Sequence, residues 1–185
     1  MNTSFFRRLF NGAATPVQES IEAQAERGSA DAQFTLGLKF ATGKVPARDY
    51  TQAARWYLKA AEQGHALAQF NLGVMYAEGQ GVPSDKAQST QWFDRAAHLG
   101  DPAAQYRLGI THHRASLERV PVNASESRIE AYKWLQLSDE QGYRDSDMAC
   151  GLVTLQMTTE EVADGNRRVS GFIAAPSGAT AKAAL

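Results

Sequence analysis

At 185 residues with 43% hydrophobic side chains, the chain holds enough apolar material for one domain with a continuous core. Its 19 basic and 20 acidic residues leave a net charge of −1, without the basic excess that a phosphate backbone demands, which argues against a nucleic-acid partner. Cys150 is the only cysteine, so neither an internal disulfide nor a multi-thiolate metal site is available.

Residues 1–14 read as an N-terminal arm in which Phe5, Phe6, Leu9 and Phe10 surround Arg7 and Arg8. The arm lacks the uninterrupted apolar stretch of a secretion signal, and no run long enough to span a bilayer occurs anywhere. With the lone cysteine, this places the chain in the cytoplasm. The arm reads either as a disordered or back-packed segment or as a short amphipathic helix for an anionic membrane surface. Residues 15–28 read as a half repeat: Thr15, Pro16 and Gln18 suit an N-cap, an N1 proline and a capping partner for a helix that closes at Gly28.

Residues 29–64 hold two expected helices, at about 31–41 and 50–63. Ala32, Leu36 and Phe40 form one stripe of the first. Gly37 lowers helix propensity there, which is best explained by the close approach of a neighbouring helix. Gly43 ends this helix, Asp49 suits the N-cap of the next, and Gly64 suits the left-handed position that closes it. Residues 65–100 repeat the pattern at an offset of 36: Ala68, Gln69, Phe70, Leu72 and Gly73 match Ala32, Gln33, Phe34, Leu36 and Gly37. In the same way Asp85, Trp92, Ala96-Ala97 and Gly100 match Asp49, Trp56, Ala60-Ala61 and Gly64.

Residues 101–142 form a third copy, with Ala104, Gln105, Tyr106, Leu108 and Gly109, then Trp134 and Gly142. Between Gly109 and Trp134 it is six residues longer than copy two, and the extra length falls in the polar segment 115–128. That segment is expected as an extended loop, either a tolerated surface insertion or a place for binding determinants. Residues 143–173 read as a closing pair: a helix at 145–156 with Gly151 in register, then one opened by a Thr158–Glu161 capping box and running to about Phe172. Residues 174–185, small and polar with Pro176 and Gly178, are expected to be disordered. Blocks of this kind cannot cover their own apolar faces, so they stack into a solenoid of about four helix pairs.

The run AQFNLGVMYAEGQGV at residues 68–82, followed by Asp85, Trp92, Ala96-Ala97 and Gly100, closely resembles the Sel-1-like repeat of the tetratricopeptide-like superfamily. The resemblance spans residues 28–142 in whole repeats. It implies an all-α fold, a right-handed α/α superhelical solenoid of antiparallel helix pairs, and a non-catalytic adaptor or scaffold for protein or peptide partners, in bacteria often in signalling, envelope or host-contact pathways. Groove positions of the superfamily fall here on Asp31, Phe34, Leu38, Ala41 and Thr42; on Leu67, Phe70, Val74, Ala77 and Glu78; and on Ala103, Tyr106, Ile110, His113 and Arg114. Phe34, Phe70 and Tyr106 then form an aromatic row, and Leu38, Val74 and Ile110 an aliphatic one, suited to an apolar helix or extended peptide. The same aromatics also read as packing between repeats, which leaves Glu78, His113 and Arg114 as the candidates for specificity.

Catalytic chemistry finds little support. His65, His98, His112 and His113 lack a metal-ligand spacing with carboxylates and read as solvated or capping residues. The glycines fall at repeat boundaries, so no nucleotide-binding loop, and hence no cofactor, is expected. Cysteine-rich relatives of the resembled family have been linked to β-lactams, yet this chain has neither their paired cysteines nor a Ser-x-x-Lys nucleophile. Glu160, Glu161 and Asp164 suit the N-terminal dipole of the last helix.

Overall fold

The computed structural model describes residues 19–43, 48–118 and 123–172. Nine helices and no strand lie among them: α1 (Ile21–Glu26), α2 (Ala30–Thr42), α3 (Tyr50–Glu62), α4 (Ala66–Glu78), α5 (Lys86–His98), α6 (Pro102–Ser116), α7 (Ala124–Asp139), α8 (Ser146–Thr154) and α9 (Thr159–Ser170). The pairs α2/α3, α4/α5 and α6/α7 each consist of a leading and a trailing helix packed together, and each trailing helix packs in turn on the next leading one. The result is a right-handed α/α solenoid.

Local chemistry sets the helix ends. Asp49 accepts a bond from the Gln52 amide and Asp85 from those of Ala87 and Gln88, so both trailing helices start on an aspartate cap. Gly64 and Gly100 adopt φ of +82° and +87°. At each, the glycine amide bonds the carbonyl three residues back while the following amide reaches five back, to Ala60 and Ala96 respectively. This is the Schellman closure, and Gly28 and Gly142 repeat it.

Packing explains the second glycine series. A Cβ on Gly37 would lie 2.7 Å from the Tyr57 ring, one on Gly73 2.8 Å from Phe93, and one on Gly109 2.5 Å from Leu135. Each leading helix is thus notched to receive a bulky side chain from its own trailing helix. Leu36, Leu72 and Leu108, at most 4% exposed, lie beside these notches, and burying each contributes about 1.5–3 kcal/mol. Alanines line the rest of the seam, with Ala53, Ala60, Ala68, Ala96 and Ala104 fully buried.

The glutamine that follows each leading alanine has a polar task in this core. Gln33, Gln69 and Gln105 donate through Nε2 to the carbonyls of Ala25, Ala61 and Ala97, at 3.0, 2.9 and 3.2 Å. Each bond ties a leading helix to the end of the preceding trailing helix, in a place where an unpaired carbonyl would be costly.

Three sequence expectations need correction. First, a single helix opening at Pro16 is broken by Ser20, which is extended at ψ 151° and caps α1 at Ile21. Thr15, Pro16 and Gln18, the arm and the tail lie outside the described residues. Second, the six extra residues of copy three do not lengthen its loop. Seven residues join α6 to α7, at 117–123, just as seven join α4 to α5, at 79–85. In repeat register, α6 runs two residues further than α4 and α7 begins four residues earlier than α5, which together account for the insertion.

Third, the last two helices do not form a pair like the others. Both α8 and α9 pack on α7, and they make little contact with each other. What holds α9 there is largely the lengthened start of α7. Arg168 of α9 bridges Glu126 and Glu130 at 2.6 and 2.7 Å, and Arg128 donates to Glu161 at 2.5 Å. Gly165 supplies the notch, its missing Cβ 2.5 Å from Tyr132. Gly151 of α8, by contrast, faces nothing within 4 Å among the described residues.

Candidate functional site

The residues expected to line a groove sit on the leading helices α2, α4 and α6, and the repeat brings equivalent positions onto one face. Phe34, Phe70 and Tyr106 are half-buried. Phe34 stacks on the His65 ring at 4.5 Å and lies 5.8 Å from Tyr57. Phe70 lies 5.5 Å from Phe93, and Tyr106 5.7 Å from Tyr143. Phe34 and Phe70 therefore pack on the trailing helix of their own repeat and Tyr106 on Tyr143 just beyond its own, and all three rings stay partly exposed. In the aliphatic row Leu38 is 41% exposed, whereas Val74 and Ile110 are half-buried.

The polar members differ in what surrounds them. Glu78 is exposed and accepts a bond from Gln80 Nε2 at 2.6 Å, and Arg114 is exposed one turn from the end of α6. His113 is half-buried, and its Nδ1 is enclosed without a hydrogen-bond partner. Its neighbour His112 is held below the ordinary imidazole range, chiefly by burial and against the attraction of Glu130.

The other histidines have structural partners. His65 caps α4, its Nδ1 accepting from the Ala68 amide at 3.2 Å, and Nε2 lies 3.4 Å from Asp31. His98 Nδ1 lies 2.9 Å from the Asp94 carbonyl, and its ring meets the edge of Trp134 at 5.0 Å. Among the described residues no three His, Cys, Asp or Glu side chains gather as a metal site. Burial pushes the Cys150 thiol up to about 11, so it is neutral and a poor nucleophile at pH 7.

Sequence reasoning missed the charged seam between α7 and α9. It read Glu161 as a capping-box and helix-dipole partner and Asp164 as a helix-dipole partner. Glu161 does close the capping box with Thr158, but it is also buried against Arg128, which holds its carboxyl down at about 2. Asp164 pairs with Arg167 and Arg168, and both pull its carboxyl below the usual range. The signal was present in the charges on either side of the insertion, but only the fold brings them together. Also missed was an apolar stripe along α8 and its C-cap, with Met148, Leu152 and Leu155 at 66%, 54% and 84% exposed. Met148 and Leu152 stand 42 residues after Tyr106 and Ile110, so they continue the two rows.

With this geometry in hand, comparisons identify the architecture. The Sel1 repeat family model matches residues 30–65, 66–101 and 102–143. The chain is similar to the crystal structure of c5321, a protective antigen present in uropathogenic Escherichia coli strains and displaying an SLR fold. The identity is 27% and the TM-score 0.67, over 83% of this chain and 32% of that one. The chain thus spans about a third of the length of that antigen. It is also similar to a Sel1 repeat protein from Oxalobacter formigenes, at 33% identity and TM-score 0.61, over 71% of this chain and 94% of that one. No curated protein matches. Three matched repeats on a solenoid of notched helix pairs lead to one conclusion: the chain belongs to the Sel1 repeat family.

Proposed function

We propose that this protein is a non-catalytic cytoplasmic adaptor that holds a protein or peptide partner along the leading-helix face of α2, α4 and α6. One observation supports the reading most. The positions of Phe34, Leu38 and Thr42, and their equivalents Phe70, Val74 and Glu78 and Tyr106, Ile110 and Arg114, stay partly or fully exposed in every copy, while Leu36, Leu72 and Leu108 beside them are buried. Half-exposed aromatics beside aliphatic side chains, with an acid and a base at the rim, suit an amphipathic helix or an extended peptide. The membrane-surface reading rests on residues 5–10, outside the described residues, and no described helix is long and apolar enough to cross a membrane.

The test is capture of a purified partner by wild type and by two groups of surface variants. Leu38→Glu, Glu78→Lys and Arg114→Glu are expected to weaken capture about tenfold or more without shifting the melting temperature, whereas Gln91→Lys on exposed α5 leaves capture unchanged. Equal capture by all four variants contradicts the reading.

A further inference from the structure

The two ends of the described solenoid are complementary halves of one repeat. In each complete pair the trailing helix sends a bulky residue into the notch of its leading helix: Tyr57 onto Gly37, Phe93 onto Gly73, Leu135 onto Gly109. Tyr57 and Phe93 also meet the aromatic row, at Phe34 and Phe70. At the C-terminal end α8 is a leading helix in register, since Gly151 stands 42 residues after Gly109. Among the described residues nothing fills its notch, and Met148, Leu152 and Leu155 are exposed. The helix that follows in the chain does not cover this face, because α9 is tied to α7 through Arg168, Glu126 and Glu130.

At the other end α1 is a trailing helix for which no leading partner lies among the described residues. It closes at Gly28 with the same Schellman geometry as α3, and it packs on α2 as α3 packs on α4. Stepping back 36 residues from Tyr57 gives Ile21, which is 44% exposed. The residue suited to fill a notch and the notch that lacks one are thus at opposite ends of the described solenoid. We propose that copies of this protein associate head to tail, α1 of one copy seating on α8 of the next with Ile21 over Gly151 and Met148.

A second copy is the favoured occupant because the contact continues an interface that the chain already builds three times within itself. α1 has six residues where α3 and α5 have 13, so the junction buries less than an internal one and is weak and concentration-dependent. Such a contact is heterologous, so it propagates into short open chains unless an end is blocked.

Sedimentation velocity of the full chain over a concentration series tests this, with far-UV circular dichroism confirming that each variant is folded. Wild type is expected to show a mass that rises with concentration. Ile21→Glu and Leu152→Glu, each at an exposed position and each blocking one end, are expected to remain at the 20.1 kDa monomer when alone. Mixed in equal amounts, they retain one good end of each kind and are expected to give a particle of twice the monomer mass that grows no further. Met148→Glu, a second block at the C-terminal end, behaves as Leu152→Glu. A wild type that stays monomeric at every concentration overturns the proposal. So does association that survives Ile21→Glu, which assigns the α8 face to a symmetric contact or to the arm, and so does a mixture that fails to pair.

Discussion

Two neighbouring repeats solve the same polar problem differently, and the difference is one side chain. Gln63 donates to Gln33 Oε1 at 2.7 Å, and Gln141 to Gln105 Oε1 at 2.8 Å. In copy two the equivalent position is Leu99, and Gln69 Oε1 is left buried without a partner. Replacing Leu99 with Gln is expected to satisfy that oxygen and to raise stability by about 0.5–1 kcal/mol, part of the hydrogen-bond gain being offset by the lost burial of a half-buried leucine. A urea midpoint that falls contradicts this. The glycines give a second contrast. Gly73→Ala drives a methyl into Phe93 and is expected to cost about 1–3 kcal/mol, while Gly151→Ala, with nothing in front of it, is expected to gain about 0.5–1 kcal/mol from helix propensity. Thermal melts of the two variants should therefore move in opposite directions.

At the level of elements, α9 is the helix whose attachment depends most on charge. Glu161, ordinarily near 4.5, is held at about 2 in the fold, first by Arg128. A carboxyl lowered in this way adds stability above its unfolded value, and that stability is lost as pH falls from about 4.5 towards 2. Glu126 and Asp164 are lowered too and act in the same direction. Phe172, just past α9, meets the Trp134 ring edge-on at 5.5 Å, so tryptophan fluorescence reports the docking. Acidification through this window is expected to release α9 in wild type, and Glu161→Gln to flatten that response; identical profiles contradict the assignment. Arg128→Ala, which strands a buried carboxylate, is expected to cost about 2–4 kcal/mol by urea titration. These charges also explain why the insertion was misread. Residues 115–128 are polar enough for a loop, and the helical state of residues 124–128 depends on Arg128 and Glu126 finding partners on α9 that are 33 and 42 residues away.

For the molecule as a whole, legibility followed the repeat. Asp49, Asp85, Gly64 and Gly37 act locally or at a fixed offset, so their caps and notches were readable from spacing alone. Where the register ends, spacing loses its authority: the helix expected at Pro16 begins at Ile21, and the expected closing pair splits its two helices onto α7. The leading-helix face was readable as a set of positions, because Phe34 and Phe70 recur, but their burial was not. Tyr57 and Phe93 pack against these half-exposed rings, which accounts for the core side of the reading, and the groove side stands as the proposal above. The 36-residue block is the unit of folding, each repeat packing chiefly on its neighbours, with Phe172 beyond α9 reaching back to His98 of copy two. Excising residues 65–100, which joins Gly64 to Asp101, keeps a Schellman closure ahead of an aspartate cap and keeps every register. The account predicts that this shortened chain retains the helical ellipticity per residue of wild type and melts cooperatively at a lower temperature. Loss of helicity or of a cooperative transition in that single circular dichroism melt contradicts it.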